Sequence, residues 1–267
     1  MYQAHYNLAR RPFIETVSPS VYVELPSREV CLRRLRYGLE HSRGPTVLFG
    51  PPGAGKTMLA RHLALELGVP PIHLTFPALS APELLGVFAE ELGGSFSTAQ
   101  TMAATLCQVR RRLAASAAAD RRTLLIVDEA HLIDDSATFE ALRLLLNFAS
   151  TGPPDLSLVL VGTAELMLRL PPSMVDRLAA RCLLGPLTQA ESSTYIQGRL
   201  AAAGTTSALF SPDSLLAIHR AALGLPRRLN MLADLSLLLA FAQGRTQVNS
   251  RIVALAAQEF QTDPLAA

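Results

Sequence analysis

Lysine is almost absent from this chain of 267 residues: Lys56 is the only one, and arginine supplies every other strong base. Tryptophan is missing, and aromatic residues make up 6% of the sequence, so broad stacking platforms for nucleic-acid bases are not expected. The net charge of +2 leaves no whole-chain electrostatic footprint for nucleic acid. Composition therefore gives no support for nucleic acid as the main partner.

Cysteines and long apolar runs are also scarce. Cys31, Cys107 and Cys182 are isolated and match neither a metal-binding spacing nor an even disulfide set. The amino terminus lacks the apolar segment of a signal peptide, and no apolar run approaches the ~18 residues that span a bilayer. We therefore expect a soluble, cytoplasmic protein without a transmembrane segment. With 49% apolar residues, the chain can bury a substantial core.

The single lysine closes a phosphate-binding motif. Residues 50–57 fit the Walker A or P-loop pattern. A strand-like run (46–49) precedes the motif and a helix-like run (58–67) follows it, which is the context that a P-loop requires. Glycines let the backbone wrap round a phosphate, and the helix N-terminus adds N–H donors. The residues predicted to bind the nucleotide are Gly50, Pro51, Pro52, Gly53, Ala54, Gly55, Lys56, Thr57 and Met58.

A second motif, residues 123–129, is five strand-forming residues followed by Asp128 and Glu129. A continuous apolar run is typical of a buried parallel strand, and ligands bind at the carboxyl ends of such strands. We expect Asp128 and Thr57 to hold Mg²⁺, Lys56 to reach the β- and γ-phosphates, and Glu129 to polarise the attacking water. The predicted cofactors are ATP and Mg²⁺.

The remaining patterns predict an α/β fold: a three-layer αβα P-loop core with a parallel sheet, followed by a small all-helical lid. Further strands are predicted at 71–75, 158–163 and 182–184, and Asp134 is expected to cap the helix that follows the second motif. The basic cluster at 33–36 could touch nucleic acid, but such clusters are more typical of a solvated helix face. The predicted divisions are an N-terminal extension and helix (1–43), the core (44–186), the lid (187–260) and a tail (261–267).

Taken together, these motifs resemble an AAA+ ATPase over roughly residues 28–260. The resemblance implies that Thr163, which ends the fourth strand, takes the sensor-1 position and reads the γ-phosphate. It implies that Arg227, in the lid sequence Gly-Leu-Pro-Arg, takes the sensor-2 position and reaches from the lid to the bound nucleotide. Arg181, directly before the last strand, matches the arginine-finger position, and Arg177 is the alternative. By the resemblance, Thr163, Arg181 and Arg227 join Lys56 and Glu129 as the catalytic set.

Within the AAA+ group, the stretches 127–131, 161–166 and 224–230 resemble the general secretion pathway protein A (ExeA/GspA) type. Two departures matter. Such relatives commonly carry glutamine where this chain has Thr163. They also continue into a membrane segment and a peptidoglycan-binding domain, neither of which lies within these 267 residues, so we do not expect the secretion role to transfer. The TniB/MuB-like transposition ATPases are a more distant resemblance.

His131 follows the second motif, and the sequence Asp-Glu-Ala-His also occurs in one group of helicases. Those need a second RecA-like core, which does not fit here, so we interpret His131 as a structural neighbour of the site.

Three functions remain open. The first is Mg²⁺-dependent ATP hydrolysis coupled to change in an oligomer or partner, with a possible secretion-system role. The second is an ATP-dependent DNA-binding regulator of transposition or replication. The third is an ATP-binding assembly switch with little turnover. The expected partners are further copies of the chain and a protein client or membrane-associated assembly. Nucleic acid is possible but not indicated.

Overall fold

The computed structural model describes residues 2–14, 21–94, 100–148 and 156–262. Its internal contacts divide the chain into two compact units. The sheet unit comprises Arg28–Pro52 and Lys56–Leu184. The helical unit comprises Met1–Ser27, Gly53–Gly55 and Gly185–Ala267.

Parallel strands form the centre of the sheet unit, and within the described residues there are five, in the order β2-β3-β4-β1-β5. All residues of the third and fourth strands are buried, as their continuous apolar runs predict. Because the strands are parallel, their carboxyl ends meet at one edge of the sheet. The strands are β1 (Thr46–Phe49), β2 (Pro71–Leu74), β3 (Thr123–Val127), β4 (Leu156–Gly162) and β5 (Ala180–Leu183).

The helices follow the predicted order, with short additional turns. None of those in the described residues is long and apolar enough to cross a membrane. In chain order they are α1 (Tyr2–His5), α2 (Pro26–His41), α3 (Lys56–Glu66), α4 (Ala81–Glu91), α5 (Met102–Ala118), α6 (Ser136–Leu145), α7 (Leu166–Arg169), α8 (Pro172–Val175), α9 (Gln189–Ala202), α10 (Pro212–Ala222), α11 (Pro226–Ala242) and α12 (Ser250–Thr262).

The helix that follows the second motif begins one residue later than predicted. Asp135, not Asp134, is the N-cap of α6: its Oδ1 accepts from the backbone N–H of Thr138 at 2.7 Å. Asp134 instead pairs with Arg169. The prediction was wrong because the two adjacent aspartates look alike in the sequence, whereas only the residue at the right distance can reach the third helical N–H.

The N-terminal residues belong to the core of the helical unit. Tyr2, Tyr6 and Phe13 are buried in the apolar cluster formed by α9 to α12. Arg199 of α9 donates from Nε to the carbonyl of Pro12 and from Nη2 to that of Ile14, both at 2.8 Å. The predicted segment 1–43 is thus divided between the two units.

The boundary between the sheet unit and the helical unit also lies slightly before the predicted boundary between core and lid. The units separate at residues 184 and 185, whereas the predicted boundary lies at 186 and 187. Most of the predicted tail lies outside the described residues, which end at position 262.

Candidate nucleotide-binding site

The P-loop between β1 and α3 has a backbone that requires glycine. Gly53 and Gly55 have φ values of +76° and +93°, in the left-handed region that other residues rarely adopt. A Cβ at Gly50 would lie 2.2 Å from the carbonyl oxygen of Leu184, so a side chain does not fit there. Helix α3 begins at Lys56, directly after the loop. The loop therefore ends at a helix N-terminus, the arrangement that binds phosphate.

The side chain of Lys56 contacts the loop that precedes this residue. It is 7% exposed, and its Nζ donates to the carbonyl oxygens of Gly50 and Pro51, both at 3.1 Å. Carbonyl acceptors compensate the buried ammonium. The only lysine of the chain is therefore held at the carboxyl edge of the sheet.

The two residues predicted to hold a metal are in direct contact, although 71 positions separate them in the chain. Thr57 Oγ1 donates to Asp128 Oδ2 at 2.7 Å, and the backbone N–H of Glu129 donates to Asp128 Oδ1 at 2.9 Å. Asp128 is only 5% exposed. A hydroxyl oxygen and a carboxylate oxygen thus converge at the edge where β3 ends.

Two residues that the sequence reasoning did not select complete this cluster. His73 of β2 lies with Nε2 3.3 Å from Asp128 Oδ2. Arg61 of α3 directs Nη2 and Nε at His73 Nδ1, at 2.9 and 3.2 Å. The available signal is a lone histidine within the short run predicted as a strand at 71–75.

The surroundings of Asp128 act on its pKa in opposite directions. Burial raises the pKa of the carboxyl group, but hydrogen bonds from His73, Thr57 and the backbone N–H of Glu129 lower it. The net effect is a pKa below the ordinary value for aspartate. Asp128 is therefore a carboxylate at neutral pH.

Glu129 has a backbone conformation that is unusual for its residue type. Its φ is +49°, in the left-handed region, and its side chain is 47% exposed. His131 Nδ1 lies 3.4 Å from Glu129 Oε2 and also 3.4 Å from the backbone nitrogen of Thr163. Within the described residues, the buried Thr163 Oγ1 has no hydrogen-bond partner. The ends of β3 and β4 thus bring these three residues together.

The arginines selected from the sequence lie in three different settings. Arg181 is exposed and lies inside β5, opposite Val47. The expectation that it directly precedes the strand was wrong, because pairing with β1 already begins at Ala180. Arg177 precedes β5, is exposed, and donates to Asn147 Oδ1 at 3.4 Å.

Arg227 belongs to the helical unit, as does Gly53 of the P-loop. Its backbone N–H donates to the carbonyl of Gly53 at 3.2 Å. A Cβ on Gly53 would lie 2.9 Å from the Cβ of Arg227, so glycine is needed for this approach as well as for the backbone turn. The predicted sensor-2 residue is thus a neighbour of Gly53 within that unit.

The donor set at Thr57 and Asp128 fits Mg²⁺. Mg²⁺ prefers oxygen ligands and is usually held by one or two carboxylates together with substrate phosphates and water. Across the described ranges, no group of three or more His, Cys, Asp or Glu residues could hold a metal without such help. These residues therefore suit a metal ion that arrives with a nucleotide.

Comparison with known proteins identifies the family. Residues 19–170, more than half of the chain, match the family described as "AAA domain". The chain belongs to the AAA+ ATPases. It is 32% identical to General secretion pathway protein A of Aeromonas hydrophila in an alignment of length 266 that covers 97% of this chain and 48% of that protein. The chain thus spans about half the length of this curated relative. The predicted likeness to the general secretion pathway protein A type is confirmed.

Solved structures share the fold at low sequence identity. The Aeropyrum pernix ORC1 protein in complex with DNA matches with a TM-score of 0.68 and 21% identity, covering 91% of this chain and 68% of that one. Drosophila ORC bound to DNA matches with a TM-score of 0.69 and 18% identity, covering 96% and 65%. The Thermotoga maritima RuvB Holliday junction branch migration motor has a TM-score of 0.58 and 18% identity, covering 96% and 76%. The predicted P-loop α/β fold class is confirmed, and the family implies nucleotide binding and hydrolysis in general.

Proposed function

We propose that this AAA+ protein is a Mg²⁺-dependent ATPase whose turnover drives conformational change in an oligomer or a bound partner. The observation that carries the proposal is the 2.7 Å hydrogen bond from Thr57 Oγ1 to Asp128 Oδ2. It joins the P-loop helix to the acidic end of β3, so that two oxygen ligands of the type that Mg²⁺ prefers face the same place. ATP is the expected nucleotide, by the family resemblance.

Each residue of the site has a role that follows from its position. Lys56 supplies a positive charge to the β- and γ-phosphates, and the loop N–H groups bind their oxygens. Thr57 and Asp128 would hold Mg²⁺, which neutralises negative charge on the phosphates when it is bound. Glu129 directly follows Asp128 in the chain, and its solvent-exposed carboxylate lies 3.4 Å from His131 Nδ1. That carboxylate orients and polarises the attacking water.

The proposed assembly depends on exposed arginines. A guanidinium that reaches the nucleotide of a neighbouring subunit stabilises the charge of the transferring phosphoryl group. Arg181 and Arg177 are both exposed in the sheet unit, as such a role requires. We assign the finger to Arg181, as the sequence reasoning did, and keep Arg177 as its alternative. Thr163, as the sensor of the γ-phosphate, and Arg227, as the sensor-2 residue for the bound nucleotide, complete the proposed set.

The first test is Glu129→Gln. The amide keeps the size of the side chain but cannot polarise water as a carboxylate does, so ATP binding should persist while turnover falls by ~10²-fold or more. Binding is measured by fluorescence with a labelled ATP, and turnover by phosphate release. Glu165→Gln, which removes another exposed carboxylate near the end of β4, is the matched control and should behave as wild type. If Glu129→Gln keeps more than about a tenth of the activity, Glu129 is not the catalytic residue.

The same variant identifies clients. Glu129→Gln protein saturated with ATP should retain protein partners in a pull-down, and the wild-type protein after hydrolysis should release them. Retention of a client from a secretion-type assembly would connect the chain with the pathway named in its Aeromonas relative.

A DNA-binding regulator is the second candidate. Two of the similar solved structures are ORC proteins bound to DNA, and a third is a Holliday junction branch migration motor. Arg33 and Arg34 are also exposed on α2. Tight DNA binding whose affinity falls steeply with salt would favour this function.

An ATP-binding switch, the third candidate, would instead show negligible turnover at every protein concentration.

A further inference from the structure

A chain of hydrogen bonds links Asp128 to the outer part of helix α3. Asp128 Oδ2 lies 3.3 Å from His73 Nε2, and His73 Nδ1 lies 2.9 Å from Arg61 Nη2. Oδ2 is the oxygen that also accepts from Thr57. All the residues of this hydrogen-bonded series belong to the sheet unit. The proposed catalytic steps use Thr57 and Asp128 but assign no role to His73 or Arg61.

The direction of these hydrogen bonds follows from the chemistry of arginine. A guanidinium carries only donors and has no acceptor. His73 Nδ1 must therefore accept from Arg61, and the ring proton is on Nε2. Nε2–H is then the donor that faces Asp128 Oδ2. Arg61 thus sets the tautomer of His73, as an outer partner commonly does for a histidine in a metal site.

The β2–β3 pairing explains why His73 reaches this place. Leu74 lies opposite Val127, and the N–H of Asp128 donates to the carbonyl of Leu74 at 2.8 Å. His73 is therefore fixed one residue from the point where the two strands end together. Its side chain is 11% exposed and that of Asp128 is 8% exposed, so water competes little for this hydrogen bond.

We infer that His73, held in one tautomer by Arg61, is a positioning residue that orients the Asp128 carboxylate for a nucleotide-bound divalent cation. This inference rests on the proposed function. With Nε2–H and Thr57 both on Oδ2 and the Glu129 N–H on Oδ1, the carboxylate cannot rotate without losing hydrogen bonds. Removal of the histidine donor would leave the ligand present but less well oriented, and outer partners of this kind change metal affinity by ~10- to 100-fold.

The test measures how Mg²⁺ strengthens nucleotide binding. A non-hydrolysable, fluorescent ATP analogue is titrated into the full chain at a series of Mg²⁺ concentrations and in EDTA. For His73→Leu we expect the Mg²⁺ concentration at half effect to rise by ~10-fold or more, while the affinity in EDTA stays within twofold of wild type. A merely structural role would weaken binding in both conditions alike.

Conservative variants keep the test decisive if His73→Leu fails to fold. His73→Gln places an N–H the same number of bonds from the backbone as Nε2 and should restore most of the Mg²⁺ response, whereas His73→Asn falls one bond short and should not. Arg61→Leu frees the tautomer and should give an intermediate shift. His62→Leu removes the neighbouring histidine on α3, which lies 3.4 Å from Glu66, and should leave the Mg²⁺ response unchanged.

Two results would overturn the inference. One is a Mg²⁺ response within twofold of wild type in every His73 and Arg61 variant while the wild type itself depends on Mg²⁺, which leaves the proposed function intact. The other is a loss in His73→Gln as large as in His73→Asn. If nucleotide binding by the wild type does not depend on Mg²⁺, the proposed function is overturned, and this inference with it.

Discussion

Both units of this protein bury charged side chains, and the buried carboxylates Glu191 and Asp128 are satisfied in different ways. In the helical unit, Arg199 is 4% exposed and Glu191 is 8% exposed. In the sheet unit, Lys56 and Asp128 are buried to a similar degree. Burial of a charge is costly wherever it occurs, so burial alone does not mark a functional site.

The partners of these charges make the difference. Arg199 donates to two backbone carbonyls of the N-terminal segment, and Glu191 accepts from the backbone N–H groups of Ser27 and Thr188. Those interactions fasten one segment of chain to another. Asp128, by contrast, is contacted by Thr57 and His73 from two other elements, at the edge where parallel strands end. Side chains that converge on a buried carboxylate at a sheet edge indicate a ligand site. Backbone partners by themselves do not decide the role, since Lys56 of the P-loop and Arg199 both donate to backbone carbonyls.

The effect with the widest consequences is the loss of nucleotide binding in Lys56→Ala, because every later step needs bound nucleotide, and little change in folding is expected. The variant removes a charge-assisted interaction with the phosphates, so affinity should fall by at least about 100-fold. Fluorescence titration with a labelled ATP measures it. Lys56→Arg sharpens the comparison, because a planar guanidinium does not replace a compact ammonium in a phosphate loop. ATP affinity within a factor of two of wild type in Lys56→Ala would refute the P-loop assignment.

The next effect concerns the assembly. Arg181→Ala should bind ATP normally but lose activity, since a finger supplied by a neighbour is worth ~10³-fold or more in favourable systems. Specific activity of the wild type should rise with protein concentration. Mixing Arg181→Ala with Glu129→Gln should restore part of the activity, because each protein keeps the part that the other lacks.

The matched variant for that experiment is Arg177→Ala, tested in the same mixture. The finger would be Arg177 if Arg177→Ala is inactive alone but recovers activity in the mixture, while Arg181→Ala is active by itself. Co-assembly by light scattering without recovery in either mixture would mean that neither arginine acts between subunits.

Substitution of Arg199, a buried charge with a structural role, should lower stability and leave ATP binding unchanged. Arg199→Leu leaves the carbonyls of Pro12 and Ile14 without their donors, which should lower the free energy of unfolding by about 1–3 kcal/mol. Denaturant unfolding measures the loss. Because Arg199 lies in the helical core and donates to Pro12, Ile14 and Tyr195 of that same unit, ATP affinity at low temperature should remain near wild type. An Arg199→Leu protein that stays folded but binds ATP about 100-fold more weakly would contradict the structural role of Arg199.

The smallest expected effect is the pH dependence of folding stability that arises from Glu191. Burial raises the pKa of this carboxyl group, but hydrogen bonds from Ser27 and Thr188 outweigh burial and leave the pKa below the ordinary value. A lowered pKa in the folded state stabilises the protein above the unfolded-state pKa of about 4.3, and this stability is lost as the pH falls through the folded-state value.

Glu191→Gln keeps the capping-box geometry but not the charge. We expect it to be about 0.5–1 kcal/mol less stable than wild type at pH 7, since charge-assisted hydrogen bonds are the stronger kind. The difference should shrink as the pH is lowered towards 3. Unfolding curves at both pH values provide the measurement, and a difference that grows at low pH would contradict the assignment.

Much of the fold and part of the candidate site were predictable from the sequence, because they depend on residues that are neighbours in the chain. The Walker A spacing of residues 50–57 and the apolar runs that became β3 and β4 follow from local geometry and from burial. Capping boxes at Ser80 and Thr188 were predictable for the same reason, since each involves residues three apart.

Only the tertiary structure decided which distant residues meet. The parallel register of β2 and β3 brings His73 to Asp128, 55 positions away, and packing on the helices of the helical unit buries Tyr2 and Phe13. Pairing with β1 also placed Arg181 inside a strand rather than before it. A local pattern specifies the conformation of its own segment, whereas contacts between segments depend on strand order and on which surfaces pack together, and neither is encoded within a single stretch of sequence.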